Sequence, residues 1–237
     1  MKKLHWQQIA STEITEIFCS DDYDGVVLDT EHGNFTEEQM FTLISLINAH
    51  GKESYVRFSM LDKPKVRKAL DAGVYGLIFS TIQSQLQIDK IVRWCKYPPI
   101  GRRGQGLVGE NLWGRKPEKI QNRDPKIIAQ IENVEGMDIL KILVDIKHNI
   151  DYFLIGPYDL SASLGCCGDF DNPIYQKEIN RFNELVPDEK KAIHLVTSVS
   201  DIKFCSHYGL VALGMDTLSI INDTNNINTE IKKYDIE

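Results

Sequence analysis

"GVVLDTEHGNFTEEQMFTLISLINA", residues 25–49, contains one full structural repeat. Its first five residues, GVVLD (25–29), read as a buried strand that runs into Asp29, Thr30, Glu31 and His32. Gly33-Asn34 is turn chemistry. Beyond the turn, Met40, Leu43, Ile44 and Ile47 recur at i, i+3, i+4 and i+7, the apolar stripe of a helix. Asn34 and Glu37 stand where that helix would have its cap and third residue. The stretch is therefore a strand followed by a helix.

The same alternation extends in both directions. Short β-branched and apolar runs recur at SYVRF (54–58), GLIFS (76–80), IIAQI (127–131), YFLIG (152–156), AIHLV (192–196) and LVALG (210–214). Ser84 precedes a second stripe of Ile88, Ile91, Val92 and Cys95, and Ile139, Ile142, Leu143 and Ile146 repeat it. A weaker opening strand is expected at HWQQIA (5–10), with a helix near 12–19. Alternating β and α implies a parallel sheet with right-handed crossovers. Eight such units in 237 residues predict a (β/α)8 TIM barrel, one domain over 1–237. The rival, a doubly wound open sheet, would usually carry a Gly-rich first turn, and no GxGxxG follows the first strands. The longest irregular stretch is 98–125; loops of that length in compact domains are usually functional or disordered.

Composition narrows the function classes. The formal charge of −7 argues against a nucleic-acid binder, which would show a basic stripe. Five cysteines with no CxxC fit a reduced cytoplasmic chain better than a secreted disulfide framework. The first residues, MKKLHWQQIASTE, lack the apolar run of a signal peptide. No stretch reaches the roughly 20 apolar residues of a membrane span.

In such a barrel the chemistry collects at the C-terminal ends of the strands. Asp29, Glu31 and His32 follow the second strand, Arg57 lies on the third, Gln130 and Glu132 close the fifth, and Asp159 follows the sixth. Side chains alternate along a strand, so Ile128, Gln130 and Glu132 share a face. Glu132 and Asp159 sit one β/α repeat apart, on neighbouring strand ends. Two carboxylates with open coordination suit Mg²⁺ or Mn²⁺. Equally, acids favour helix N-termini for structural reasons alone. Arg57 in an apolar strand needs an anion, either a structural carboxylate or a substrate. Asp29 and His32, three residues apart across a turn, could pair as acid and imidazole for proton transfer.

With these positions marked, the chain resembles the metal-dependent (class II) pyruvate aldolases typified by 2,4-dihydroxyhept-2-ene-1,7-dioate aldolase, the HpcH/HpaI family. The matching stretches are VVLDTEHGNFT, YVRFSMLDKPKVRKALDAGVYGLI, CKYPPIGRRGQG, IAQIENVEGMDIL and DYFLIGPYDLSASLG, with VALGMDTLSI a looser match. They occur in family order from about residue 24 to 220. The resemblance implies that Glu132 and Asp159 are metal ligands for Mg²⁺, Mn²⁺ or Co²⁺, with no organic cofactor. It implies that Arg57 steadies the keto oxygen of pyruvate and that His32, supported by Asp29, moves a proton. Gln130, Gly156, Pro157 and Tyr158 would line the 2-oxo acid site, and Leu195 would border the pocket for the aldehyde. The expected partners are those two small molecules, and the expected assembly is a homo-oligomer, a hexamer or trimer, in which the last helix is exchanged between neighbours.

The chain departs from the family pattern at FSTI (79–82), where a proline-containing stretch is usual, at LVGENLW (107–113), and at His194, where glycine is usual. A Schiff-base aldolase would need a strand-end lysine, and none of the positions read above is lysine. Two other readings stand beside the aldolase. One is a malyl- or citryl-type acyl-CoA lyase, with Arg102, Arg103 and Arg115 meeting the CoA phosphates. The other is a barrel that binds a 2-oxo acid without catalysis.

Overall fold

The computed structural model describes residues 1–59, 62–118, 124–145, 150–195 and 205–234. Eight parallel strands close into a barrel in sequence order: β1 (Lys2–Gln7), β2 (Gly25–Asp29), β3 (Glu53–Phe58), β4 (Gly76–Phe79), β5 (Lys126–Ile131), β6 (Tyr152–Ile155), β7 (Lys191–Leu195) and β8 (Leu210–Leu213). The helices around it are α1 (Thr12–Ser20), α2 (Glu37–Ala49), α3 (Lys63–Ala72), α4 (Gln85–Cys95), α5 (Val134–Asp145), α6 (Pro157–Ser163), α7 (Pro173–Leu185) and α8 (Asp216–Lys233). No helix among the described residues is long and apolar enough to cross a membrane.

Alternation along the strands divides the core into two. Leu4, Trp6, Val27, Tyr55, Ile78, Ile128, Leu154 and Ala192 point inward and fill the barrel. Their sequence neighbours, such as Val26, Leu28, Val56 and Leu77, point outward against the helices. The inward positions two residues further along β1, β2, β3, β5 and β7 are Gln8, Asp29, Arg57, Gln130 and His194. The barrel filling therefore gives way to polar chemistry within one step at its C-terminal rim.

Three local expectations shift. The first strand begins at Lys2 rather than His5, because Leu4 and Trp6 are its inward residues and Leu4 lies opposite Gly25. Helix α2 is capped by Thr36, not Asn34: Thr36 Oγ1 accepts from Gln39 N (3.2 Å), and Gln39 Oε1 accepts from Thr36 N (2.9 Å). On α5 the buried face is Gly136, Met137, Leu140 and Leu143, whereas Ile142 is exposed. A run as rich in Ile and Leu as ILKILV fits two stripes, and Gly136, packed on Ile82 O, decides between them. Ile146 lies outside the described residues.

The long segment after α4 is anchored from within. Arg103, buried, binds Glu110 at one end of its guanidinium and lies 3.5 Å from Asp71 of α3, with Tyr97 under it at 4.7 Å. This arginine is structural, which removes it from any groove for CoA phosphates.

Candidate active site

Asp29 and Arg57 are register partners across β2 and β3. Their inward side chains meet as a fork: Arg57 Nε donates to Asp29 Oδ1 (2.8 Å) and Nη2 to Oδ2 (2.6 Å). Asp29 also accepts from Trp6 Nε1 (3.1 Å) and Gln8 Nε2 (3.0 Å). Burial alone would raise its pKa, but the Arg57 bonds and charge, helped by Gln8 and Trp6, hold it down at about 2. Arg57 Nη1 lies 3.0 Å from Glu31 Oε2, an ion pair without good hydrogen-bond alignment, and Glu31 Oε1 accepts from Ser80 Oγ (2.8 Å). The guanidinium also packs over Trp6, 4.9 Å from the ring centre.

This arrangement reassigns Asp29. Its carboxylate meets His32 at the backbone N–H (3.4 Å), not at the ring. The short turn aims Asp29 into the barrel toward the Arg57 charge, while His32 stands exposed on the cavity wall. Asp29 orients Arg57 rather than the imidazole.

Glu132 is buried one step beyond β5. Its Oε1 accepts from both Thr81 N (2.6 Å) and Thr81 Oγ1 (2.7 Å), and Gln130 Nε2 donates to Oε2. Thr81 has φ 55°, a left-handed conformation that a β-branched residue adopts at a cost and that aims both donors at one oxygen. Burial pushes the Glu132 carboxyl above its usual range; Thr81 opposes that, and the charges of Glu31 and Asp159 add to it. Gly156 lies against this acid: a Cβ there would stand 2.8 Å from Glu132 Cβ and 3.0 Å from Oε2. Its N–H donates to Ile131 O (3.0 Å), so that amide is already engaged in the sheet. Pro157, Tyr158 and Asp159 form the first turn of α6.

His32, Arg57, Gln130, Gly156, Pro157, Tyr158 and Asp159 line one cavity of about 430 Å³ at the C-terminal rim. Glu132 lies behind Gly156 and Asp29 behind Arg57. Leu195 falls elsewhere: as the outward residue of β7 it packs on the core between barrel and helices, and His194 takes the inward place on the wall. Glu31, which the sequence places at the rim, belongs to the site, and so do Trp6, Gln8, Ser80 and Thr81, to which the sequence assigns no role. Parity from Leu4 marks Trp6 and Gln8; the hydroxyls of FSTI carry no such signal.

The donors at this rim suit a hard divalent cation. Asp29 and Glu31 pair with the Arg57 guanidinium, the charges of Glu31 and Asp159 reach Glu132, and among the described residues the buried Gln130 Oε1 has no hydrogen-bond partner. Among the described residues no group of three or more His, Cys, Asp or Glu side chains converges as a metal site. A cation held by Glu132 and Asp159 would have two protein ligands and need water or substrate oxygens to complete its shell.

Residues 2–222 match the sequence profile of the HpcH/HpaI aldolase/citrate lyase family. The chain belongs to this family. Among curated relatives, the 4-hydroxy-2-oxo-heptane-1,7-dioate aldolase of Shigella flexneri is 28% identical over 90% of this chain and 82% of its own length. The 4-hydroxy-2-oxovalerate aldolase of Rhodococcus jostii is 27% identical, covering 93% and 87% respectively. A solved HpcH/HpaI aldolase/citrate lyase family protein from Burkholderia cenocepacia J2315 superposes with a TM-score of 0.86 at 24% identity, over 98% of this chain and 94% of that one, and shares the barrel.

Proposed function

We propose that the chain is a divalent-metal-dependent aldolase, a carbon–carbon lyase that reversibly cleaves a 4-hydroxy-2-oxo acid to pyruvate, or a close 2-oxo acid, and an aldehyde. The observation that carries this reading is the rim itself, where Asp29 and Glu31 clamp Arg57 while the buried Glu132, within reach of the Glu31 and Asp159 charges, lies beside a Gln130 whose Oε1 has no partner among the described residues. Glu132 and Asp159 are the proposed ligands for Mg²⁺, Mn²⁺ or Co²⁺. When bound there, the ion supplies Lewis-acid polarisation of the 2-oxo acid.

The protein's own groups supply the rest. Arg57 carries five N–H donors and directs two of them at Asp29, while Nη1 is held near Glu31 by charge, so N–H groups on both terminal nitrogens remain for the substrate oxygen that gains negative charge. Because both carboxylates fix the guanidinium before substrate arrives, little reorganisation accompanies the reaction. His32, exposed on the cavity wall, takes the proton from the C4 hydroxyl during cleavage and returns it during synthesis. Gln130 lines the 2-oxo acid site, and the absent Cβ of Gly156 leaves room for it. With the Gly156 amide engaged by Ile131, the carboxylate of that acid is left to the first-turn amides of Tyr158 and Asp159.

The test needs no knowledge of the aldehyde. Pyruvate methyl protons should exchange in D₂O, the exchange should stop with EDTA, and Mn²⁺ should restore it. Exchange unchanged after complete metal removal overturns the metal-dependent reading. Bound metal and pyruvate with no exchange would instead favour a binding-only barrel.

Assembly belongs to the same proposal. Helix α8 leaves Ile220, Ile227 and Ile231 on its surface at i, i+7 and i+11, exposed by 54%, 53% and 40%, and its C-cap Tyr234, 73% exposed, follows at i+14. An apolar stripe along an 18-residue helix with this little packing suits a second copy of the chain. Light scattering should give an oligomer, and a monomer at micromolar concentration would sink the expectation.

A further inference from the structure

The cavity wall is not chemically uniform. Its ionisable groups His32, Arg57 and Asp159, with the amide of Gln130, lie on the arc from β2 to β6. The remaining arc, from β7 through β8 to β1, presents His194, Met215, Leu218, Trp6 and Gln8. Met215 and Leu218 are apolar, and the polar atoms of the other three are largely engaged within the protein. Trp6 Nε1 and Gln8 Nε2 both donate to Asp29, and Gln8 Oε1 accepts from Thr217 Oγ1 (3.0 Å). Asp216, at the head of α8, accepts from the backbone N–H groups of Gln8, Ile9 and Thr217.

His194 completes this surface. Its Nε2 lies 2.9 Å from the Gly214 carbonyl, which can only accept, so Nε2 carries the proton and Nδ1 is an acceptor. The ring stacks on Trp6 at 4.1 Å and 15°. Burial pushes its pKa down to about 4; the Gly214 bond opposes that and Arg57 adds to it, so the imidazole is neutral at pH 7. Among the described residues, no lysine or arginine lines this arc. The cavity's one described guanidinium, Arg57, is already compensated by Asp29 and Glu31. A carboxylate seated on the arc would give up water without a partner, whereas an alkyl chain would gain from leaving water.

We infer that the aldehyde half of the substrate is uncharged and carries an apolar tail, seated against Trp6, His194, Met215 and Leu218. This rests on the aldolase reading above and narrows its substrate class to 4-hydroxy-2-oxo monoacids. His194 and Leu218 act as specificity-determining residues, since each occupies the wall where a distal carboxylate would need a cation.

The test uses a matched pair, 4-hydroxy-2-oxoheptanoate and 4-hydroxy-2-oxoheptane-1,7-dioate, equal in chain length and differing in the distal carboxylate. Pyruvate release by the intact Mn²⁺-loaded protein should give a kcat/KM at least tenfold higher for the monoacid. Leu218→Arg, a substitution at a half-buried position, should shift that ratio at least tenfold toward the dioate. Equal rates or a dioate preference in the wild-type protein overturn the inference, as does a ratio that Leu218→Arg leaves unchanged. Exchange of pyruvate protons in D₂O separates the two levels of failure. Exchange without cleavage of either compound rejects the tail assignment alone, and absence of exchange rejects the aldolase reading and the tail with it.

Discussion

At the N-terminal end of the barrel, Lys2 meets Glu53, Lys126 meets Asp151 at 2.7 Å, and Lys191 meets Asp188 at 2.6 Å. At the C-terminal rim, Asp29 and Glu31 share Arg57, and Glu132 feels the charges of Glu31 and Asp159. These three lower-end pairs each match one cation to one anion, whereas the acids described at the upper end outnumber its one described guanidinium. Both ends are built on the same eight strands, so the difference does not come from the fold. Paired charges at the closed end serve stability, while unbalanced ones at the loop end mark the place where a ligand is needed to complete the balance.

The largest effect expected is at the centre of that imbalance. Arg57→Ala leaves Asp29, fully buried, and Glu31 without their cation. Breaking a buried pair from one side costs about 3–5 kcal/mol. Denaturant unfolding should show that loss, and pyruvate exchange should fall by roughly a thousandfold or more. Arg57→Lys should rescue little of either, because an ammonium cannot reproduce the fork on Asp29. A mild phenotype for Arg57→Ala would mean that the rim acids are not truly coupled to it.

His194 gives the next effect, and it concerns pH. Its pKa is about 4 in the folded protein and about 6.5 when unfolded, so between those values the unfolded chain binds a proton that the folded one does not. Stability is therefore full above pH 6.5 and falls as the pH drops toward 4, by up to about 3 kcal/mol. His194→Phe keeps a ring on Trp6 and removes the titration, so its stability should vary less across that window. Comparing slopes rather than absolute stabilities excludes the separate cost of leaving the Gly214 carbonyl unpaired. Parallel slopes for the two proteins would place the acid sensitivity elsewhere.

How much of this is legible in the sequence depends on range. The barrel is legible because each β/α unit is local: GVVLD and the Met40–Ile47 stripe need no distant partner to be read. Much of the rim follows by parity, since Asp29, Arg57 and Gln130 each stand two residues beyond an inward core residue, Val27, Tyr55 and Ile128. Parity from Ala192 also selects His194 over Leu195 as the inward residue. The roles of Ser80 and Thr81 were not legible. They join β4 to acids that follow β2 and β5, and Thr81 does so from a backbone conformation its side chain disfavours. Sequence distance points Asp29 to His32, three residues away, but spacing along the chain does not measure the reach across a strand pair. The register of β2 against β3 brings Arg57 nearer.

A smaller effect, of opposite sign, should come from Glu132→Gln. The substitution removes one of the crowded negative charges while keeping an amide oxygen for the two Thr81 donors. The amide of Gln130 can then turn its unpartnered Oε1 toward the new NH₂ group. The variant should unfold about 1 kcal/mol later than the wild type in metal-free buffer. Its Mn²⁺ affinity, measured by calorimetry, should fall at least a hundredfold. Destabilisation would show that the carboxylate is held there for Thr81 rather than for a cation.

The smallest effect is expected at the opposite end, with Lys126→Met. Lys126 pairs with Asp151, but 38% of its side chain is exposed, and Asp151 keeps a second donor in Ile127 N (2.9 Å). Exposed pairs of this kind contribute about 0–1 kcal/mol. Methionine retains the apolar stem that lies along the barrel floor, so the loss should sit at the low end of that range. Pyruvate exchange, which depends on groups at the other rim, should not change. The two readouts together give the comparison its sharpest form: a lower-end charge should alter stability slightly and chemistry not at all, whereas each rim charge should alter chemistry far more than its effect on stability would suggest. If Lys126→Met slowed exchange as much as Glu132→Gln, the division of labour between the two ends would not hold.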